Sequence, residues 1–307
     1  MEAPDNWGLS NIDNEVTEMP NSAFQTKYRQ EMIAGYEQNM SLLRHTVTTD
    51  HDPHAEGVVF LVSDTGGARA RQRGRDARIP ARQQNLNQFT LNLQEYHDLV
   101  ERGGFNIYAS QGDGVRDMQM STIKVINREC DINIFGVLGQ ATNRLGGAAT
   151  ASGNAGLTLT LENLQGAIAW LQTQVKDTMG AELCGVISPA MRQRMMTWDE
   201  FSSSDYIDDK RFPKQKDMAF MWNGVKWIVH TNVPDIGTNN AKCYIYAKNA
   251  VGHAFNSERF DVRVDYDEKN DSSWARATIY MGSLMLQQTG VIQIPHNDLG
   301  LIGTIGS

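Results

Sequence analysis

Residues Asp113 to Gly147 read DGVRDMQMSTIKVINRECDINIFGVLGQATNRLGG. Val115, Met118, Ile123, Ile126, Cys130, Ile134, Val137, Leu138, Ala141 and Leu145 keep the spacing of one helical stripe, so the stretch is an amphipathic helix and not a strand. Asp113 is placed to cap its N-terminus by accepting a backbone N–H. Gly146 and Gly147 offer the φ > 0 position at which helices commonly stop. Carried throughout, the helix is expected to run roughly 33 residues and about 50 Å, at 1.5 Å per residue. That is about three times an ordinary globular helix, so it is expected to be a strut longer than the core it packs on. Gly136 and Gly139 each weaken it by about 1 kcal/mol relative to Ala. They mark close packing, a slight bend, or a junction between two shorter helices.

Upstream of this helix lie two β runs, EGVVFLVSD with its apolar block Val58 to Val62, and NQFTLNLQEYH, where Phe89, Leu91 and Leu93 alternate with polar residues. Between them, TGGARARQRGRDARIPARQQN carries Arg69, Arg71, Arg73, Arg75, Arg78 and Arg82, with Asp76 as its only acid. Gly66, Gly67, Gly74 and Pro80 keep this stretch from becoming a helix, which predicts the extended tip of a long hairpin. An isolated two-stranded arm is marginal in water, so it is expected to lie on another surface. Charge-assisted Arg–carboxylate pairs would fix it on a neighbouring copy. Phosphate contact by the basic loop, or a merely solvated loop, are the other readings. Still further upstream, Met1 to His54 is polar and broken by Pro4, Pro20 and Pro53, with one amphipathic piece near Phe24 to Leu43. Such an arm buries too little apolar surface to order alone and is expected to lie against its own domain or a neighbouring subunit.

Downstream, a small-residue connector precedes a helix capped by Thr160 and running from Leu161 to Val175. CGVIS reads as a buried strand, and Pro189 suits the first position of the helix that follows. FSSSDYIDDKRFPKQKD is a polar loop without periodicity. MAFMWNGVKWIVHTNVP is a β-hairpin with Asn223-Gly224 as its type I′ turn. AKCYIYAKNAVGHAF is expected as a strand leading into a short helical piece, FDVRVDYD as a strand, and ARATIYMGSLMLQQTGVIQIP as one long strand or two, with Gly282 and Gly290 as bends. The order of elements is that of an α+β fold, without regular βα alternation.

The chain has 307 residues, a net charge of −8 and 40% hydrophobic residues, enough for one large or two modest cores. No apolar run approaches the ~20 residues that span a bilayer, and the N-terminus resembles no signal peptide, so the protein is expected in the cytosol. Its acidity argues against a dedicated nucleic-acid binder. Cys130, Cys184 and Cys243 form no CxxC pair and read as small buried side chains.

The nucleotide-binding and hydrolase motifs GxxxxGK[ST], GxGxxG after a strand, HExxH and GxSxG are missing from the sequence. A metal-dependent enzyme could use DHDPHAE, with Asp50, His51, Asp52, His54 and Glu56, although Pro53 favours a turn cluster. In DYDEKND, Asp265, Asp267 and Asp271 alternate like a calcium loop, but Arg276 stands where the bidentate Glu belongs, which favours a solvated turn. Ser188 and His230 have no local sign of a triad. Met195, Met196, Met218, Met221, Trp198 and Trp222 read as core or as a buried contact between subunits. No catalytic residue, metal ligand or cofactor is assigned.

In order, these pieces resemble the major capsid proteins of tailed bacteriophages, the HK97 fold. The likeness rests on the helix from Asp113 to Leu145, on LTLTLENLQGAIAWLQTQ, on CGVISPAMRQRM, on WNGVKWIVHTNVP and on the closing VRVDYDEKNDSSWARATIYMGSLMLQQTGVIQI, and spans most of residues 55–295. The resemblance implies an N-terminal arm at 1–54, an extended loop at 55–110 laid over the adjacent subunit, and a spine helix of a peripheral domain at 111–147. It further implies an axial domain at 148–257, taking in part of the peripheral domain at its start, and return strands of the peripheral domain at 258–307. The implied role is a non-enzymatic shell subunit forming pentamers and hexamers of an icosahedral phage head around double-stranded DNA, assembled in the host bacterial cytoplasm. The six arginines would be contact residues between subunits, and scaffolding, portal and cement proteins are candidate partners. No Lys and Asn pair for crosslinking is identified, and a chain beginning at Met1 is expected to be untrimmed by protease. An acidic chain suits a shell that must hold DNA without sticking to it, since like charges repel over about a Debye length. An encapsulin-like nanocompartment shell is the alternative on the same fold.

Overall fold

The structure is a computed structural model that describes residues 40–50, 56–64, 68–73, 85–109, 114–146, 159–175, 181–202, 219–256 and 261–299. In chain order its elements are β1 (Thr48–Asp50), β2 (Gly57–Asp64), β3 (Asn85–Asn92), β4 (Gln94–Gly103), α1 (Gly104–Ala109), α2 (Gly114–Leu138), α3 (Leu161–Val175), β5 (Leu183–Ile187), α4 (Pro189–Met196), α5 (Asp199–Ser202), β6 (Ala219–Trp222), β7 (Val225–Val229), β8 (Ala241–Ala247), β9 (Val251–Phe255), β10 (Asp261–Asp267), β11 (Ser272–Met285) and β12 (Val291–His296).

Two five-stranded sheets and one two-stranded arm organise these elements. In the first sheet β11 is the axis. It pairs antiparallel with β4 along Ser272–Met281 on one side, and with β10 and then β9 on the other. β1 adds parallel to β9. Ala275, Ala277, Ile279 and Met281 alternate along β11 onto one face, as a strand requires, and all are buried. Ala277, Ile279 and Met281 form a core with Phe255 and with Ile126 and Cys130 of α2. The second sheet has the order β12-β8-β5-β7-β6, with β5 and β7 parallel. It buries Trp227, Tyr244 and Tyr246 against α3, α4 and the last turns of α2.

The helix α2 thus serves both cores: Ile126 and Cys130 in the first, Ile134, Phe135, Val137 and Leu138 in the second. It is shorter than the sequence predicts, 25 residues ending at Leu138, or about 37 Å at 1.5 Å per residue. Gln140 and Ala141 donate to carbonyls only three residues back, tightening the last turn and closing the helix. The chain from Asn143 to Leu145 then bonds to Gln293 of β12, an alternative partner that a periodicity argument does not see. Gly146 does adopt φ 91, but it lies beyond that segment and is not the helix stop. Gly136 lies inside an uninterrupted helix, so the two-helix reading is excluded.

Other expectations meet the structure in detail. Thr160 Oγ1 accepts from Asn163 N at 3.4 Å, ahead of α3. Ser188 caps α4 by accepting from Met191 N at 3.1 Å, with Pro189 in the first turn. Asn223 (φ 49) and Gly224 (φ 71) make the positive-φ pair of a type I′ turn between β6 and β7.

Three readings are corrected. After β8 the expected helical piece is a single 3-10 turn, Lys248–Ala250, and the chain then extends again as β9, because its alternating side chains are buried on both faces. The closing apolar stretch breaks at the 3-10 turn Gln288–Gly290 and not at Gly282, which pairs with Ala254 inside β11. Last, β12 departs from the expected grouping of 258–307, since it pairs with β8 in the second sheet. Its six residues are all buried, and only the second core offers them apolar neighbours.

Candidate functional site

The arm outside the two sheets is the hairpin of β2 and β3, paired antiparallel from Gly57↔Asn92 to Asp64↔Asn85. The period-2 alternation gives it two unlike faces. One face carries Val58, Phe60 and Leu91, buried with Ala254 and Leu286. Close approach here depends on glycines: a Cβ on Gly252 would stand 3.1 Å from the Phe60 ring, and one on Gly282 3.1 Å from Leu91 Cδ1. The other face carries Val59, Leu61 and Leu86, which are 51%, 62% and 57% exposed. These three side chains make an uncovered apolar strip on the arm.

Of the six arginines singled out from sequence, Arg69, Arg71 and Arg73 lie in exposed, irregular chain at 68–73. Arg75, Arg78 and Arg82 lie outside the described residues. Residues 68–73 therefore present positive charge to solvent. Together with the apolar strip, that charge suits a protein face with carboxylates at its rim.

The polar groups that could suggest catalysis are tied up in structural roles. Ser188 and His230 belong to different networks. Ser188 Oγ donates to Asp298 Oδ1 at 2.8 Å, and His296 Nδ1 lies 2.7 Å from the same oxygen. The carboxylate stands between serine and histidine, so Ser188 is not bonded to an imidazole and the arrangement is not the Ser–His–Asp order of a triad. Burial pushes the Asp298 carboxyl up, but the bonds from His296, the Gly237 N–H and Ser188 outweigh it and hold the group below the ordinary carboxylate range.

His230 instead lies 2.9 Å from Asp131 Oδ2. Asp131 also receives Ser41 Oγ at 2.6 Å and the backbone N–H groups of Leu42 and Leu43, both at 3.1 Å. This knot joins α2, the second sheet and residues 41–43, and sequence reasoning missed it. The available signal was an aspartate adjoining Cys130 on the apolar stripe of a helix, where a carboxylate must find donors.

Cys130, Cys184 and Cys243 are buried and unpaired with one another. Burial pushes their thiols up, to about 11, 11 and 12 respectively. Among the described residues no group of three or more His, Cys, Asp or Glu could hold a metal ion. His51 and His54 lie outside those residues. In the β10–β11 turn, Asp267 accepts from Lys269 N and Asn270 Nδ2, and Asp271 accepts from Tyr266, so this turn is closed by its own acids. Trp198 and Trp222 pack at 6.4 Å on the core that contains Met195, whereas Met221 is exposed and Met218 lies outside the described residues. No helix among the described residues is long and apolar enough to cross a membrane.

A family model described as "Phage capsid protein" matches residues 21–298. Among solved structures, the capsid of cyanophage P-SCSP1u superposes with a TM-score of 0.68 at 12% identity, covering 90% of this chain and 93% of that one. Mycobacterium phage Che8 gives 0.64 at 13% identity, with 90% and 98% covered. The capsid of Ralstonia phage GP4 gives 0.62 at 12% identity, with 96% and 99% covered. No curated protein matches by sequence. At such low identity the structural likeness establishes the fold, which is the α+β capsid fold of the HK97 type.

Proposed function

The chain belongs to the phage capsid protein family, and from its place as a structural protein of the virion we propose that copies of it assemble as pentamers and hexamers into an icosahedral head around double-stranded DNA. The observation that carries this reading is the β2–β3 arm. Its inner face is seated on its own chain, while Val59, Leu61 and Leu86 stand uncovered, and Arg69, Arg71 and Arg73 are exposed too. Laid over an adjacent subunit, the arm would bury that strip and pair those charges, so that subunit stability and assembly are coupled.

The division follows from this reading. Residues 1–54 act as an arm reaching under a neighbour, 55–110 as the extended loop and 111–147 as the spine of the peripheral domain. Residues 148–257 supply much of the axial domain at capsomer centres. Of 258–307, β10 and β11 return to the peripheral sheet, and β12 closes the axial one. The subunit itself performs no catalysis. It is assembled in the host cytoplasm, with scaffolding, portal and cement proteins as further partners and no sequence-specific contact to the packaged DNA.

The test is the size of the purified native particle, by light scattering and negative-stain microscopy. Closed shells of tens of nanometres are expected. A stable monomer or small oligomer under every ionic condition, with any scaffolding partner supplied, would overturn the reading.

A further inference from the structure

Residues 41–50 read SLLRHTVTTD, four hydroxyl side chains around the buried Leu43 and Val47. So short a strap has no core of its own, and where its backbone is buried the polar groups must find partners. Ser41 Oγ and the amides of Leu42 and Leu43 bond to Asp131 on α2. Thr46 Oγ1 donates to the Leu43 carbonyl at 2.6 Å, so the Tyr246 hydroxyl of β8 is the donor in the bond between those two side chains. Thr48 Oγ1 donates to the Lys248 carbonyl at 3.1 Å, and Thr49 Oγ1 to the Arg44 carbonyl at 3.0 Å. From Thr48 the strap becomes β1, paired parallel with β9 from Thr48↔Gly252 to Asp50↔Ala254.

The chain passes between the sheets from β8 to β9 through the 3-10 turn Lys248–Ala250, and from β11 to β12 through the 3-10 turn Gln288–Gly290. These crossings lie against each other. The Leu286 and Gln287 N–H groups donate to the Ala250 carbonyl at 2.9 and 3.1 Å, and a Cβ on Gly290 would stand 2.7 Å from Ala250 Cβ. Two turns packed side by side make a hinge. The helix α2 touches both cores by side-chain packing, which does not by itself fix a rotation about its axis. We propose that residues 41–50 are a splint across this hinge, holding the two sheets at one angle, and that withdrawing it lets them rotate about α2. The splint acts within one subunit, whatever that subunit assembles into.

The strap grips both sides of the first crossing. Thr46 holds Tyr246 just ahead of the turn, while Thr48 holds the Lys248 carbonyl within it and pairs with Gly252 just past it. Its apolar anchors divide in the same way. Leu43 sits in the second core, and the next residue, Arg44, lays its guanidinium 3.5 Å over the ring of Phe255, which belongs to the first. A rotation of one sheet against the other must therefore drag one of two adjacent residues from its seat. With the strap seated the subunit presents both sheets at a single angle, and with it withdrawn a range of angles.

Double electron–electron resonance on full-length, unassembled subunits tests this, with spin labels at Leu99→Cys on β4 and Met221→Cys on β6, exposed positions on different sheets. Cys130, Cys184 and Cys243 are buried and take no label in the folded protein. One narrow distance distribution is expected with the strap intact. Ser41→Ala, Thr46→Val and Thr48→Val together remove the hydroxyl bonds to Asp131, Tyr246 and Lys248, and are expected to broaden the distribution by about twofold. Gly185→Ala, which crowds Trp227 inside the second sheet, is expected to leave it narrow. An unchanged width in the triple variant, or equal broadening by Gly185→Ala, would overturn the proposal. Should the triple variant not fold, native-state hydrogen exchange of the wild type in low urea decides. The Leu43 amide, held by Asp131, and the Leu286 amide, held at the crossing by Ala250, are expected to open in one step, ahead of the amides of β5. Leu286 staying closed after Leu43 has opened would show that the strap does not hold the hinge.

Discussion

Gly185 of β5 lies in register beside Trp227 of β7, and a Cβ on Gly185 would stand 2.5 Å from Trp227 Cε3. The indole is fully buried, and its N–H donates to the Trp222 carbonyl at 3.1 Å, so the ring cannot swing aside without losing that bond. Gly185→Ala is therefore expected to destabilise the subunit by about 1–3 kcal/mol, the usual cost of overpacking a closed core. Urea unfolding of unassembled subunits, followed by tryptophan fluorescence, checks it. An unchanged midpoint would mean that the second sheet can open around Trp227.

The arginine tip should separate folding from assembly. Arg69, Arg71 and Arg73 are exposed, and exposed substitutions usually shift stability by less than about 0.5 kcal/mol. Changing the three to Glu together is expected to leave the unfolding midpoint in place and to abolish closed shells in sedimentation. Normal shells from that variant would remove these residues from the contact.

Acid should weaken the anchor at Asp298. Its carboxyl is held below the ordinary range because the bonds from His296, Gly237 and Ser188 outweigh burial. Such a group stabilises the fold above the unfolded value, about 3.9, and the contribution disappears as pH falls through the lower folded value. The stability difference between wild type and Asp298→Asn is expected to be constant near neutral pH and to shrink below about pH 4. A difference that persists undiminished in stronger acid would contradict the assignment.

The thiols give a simple check of burial. With Cys130, Cys184 and Cys243 raised to about 11, 11 and 12, the thiolate that reacts is nearly absent at about pH 8. No labelling by a thiol reagent is expected in the native protein, and three equivalents are expected in denaturant, one per cysteine. Rapid native labelling at any one would place that side chain outside the core.

Local chemistry carried much of the fold. The I′ turn at Asn223-Gly224, the caps at Thr160 and Ser188, and the α3 stripe are set within a few residues, so sequence alone reaches them. The end of α2 was misjudged because Asn143 and Leu145 choose Gln293 as partner. β4 was not separated from β3 because the break at Leu93 is made by pairing with β11, not by any turn residue. The run of arginines is legible from composition alone. Asp131 is not, since its donors come from residues 41–43 and 230, far away in the chain.

Consider last the ribosome. β4 and its partner β11 are separated by roughly 170–190 residues of chain, which at about 5–20 residues per second is about 10–40 seconds of translation. Throughout that interval β4 has been made and its mate has not. The first sheet therefore completes only after β11 has been made, and β12 must still insert into the second. A nascent subunit carries its β2–β3 arm before it has a finished body. Slowing translation between codons 104 and 271 should lengthen the time for which that unfinished chain can engage the wrong neighbour.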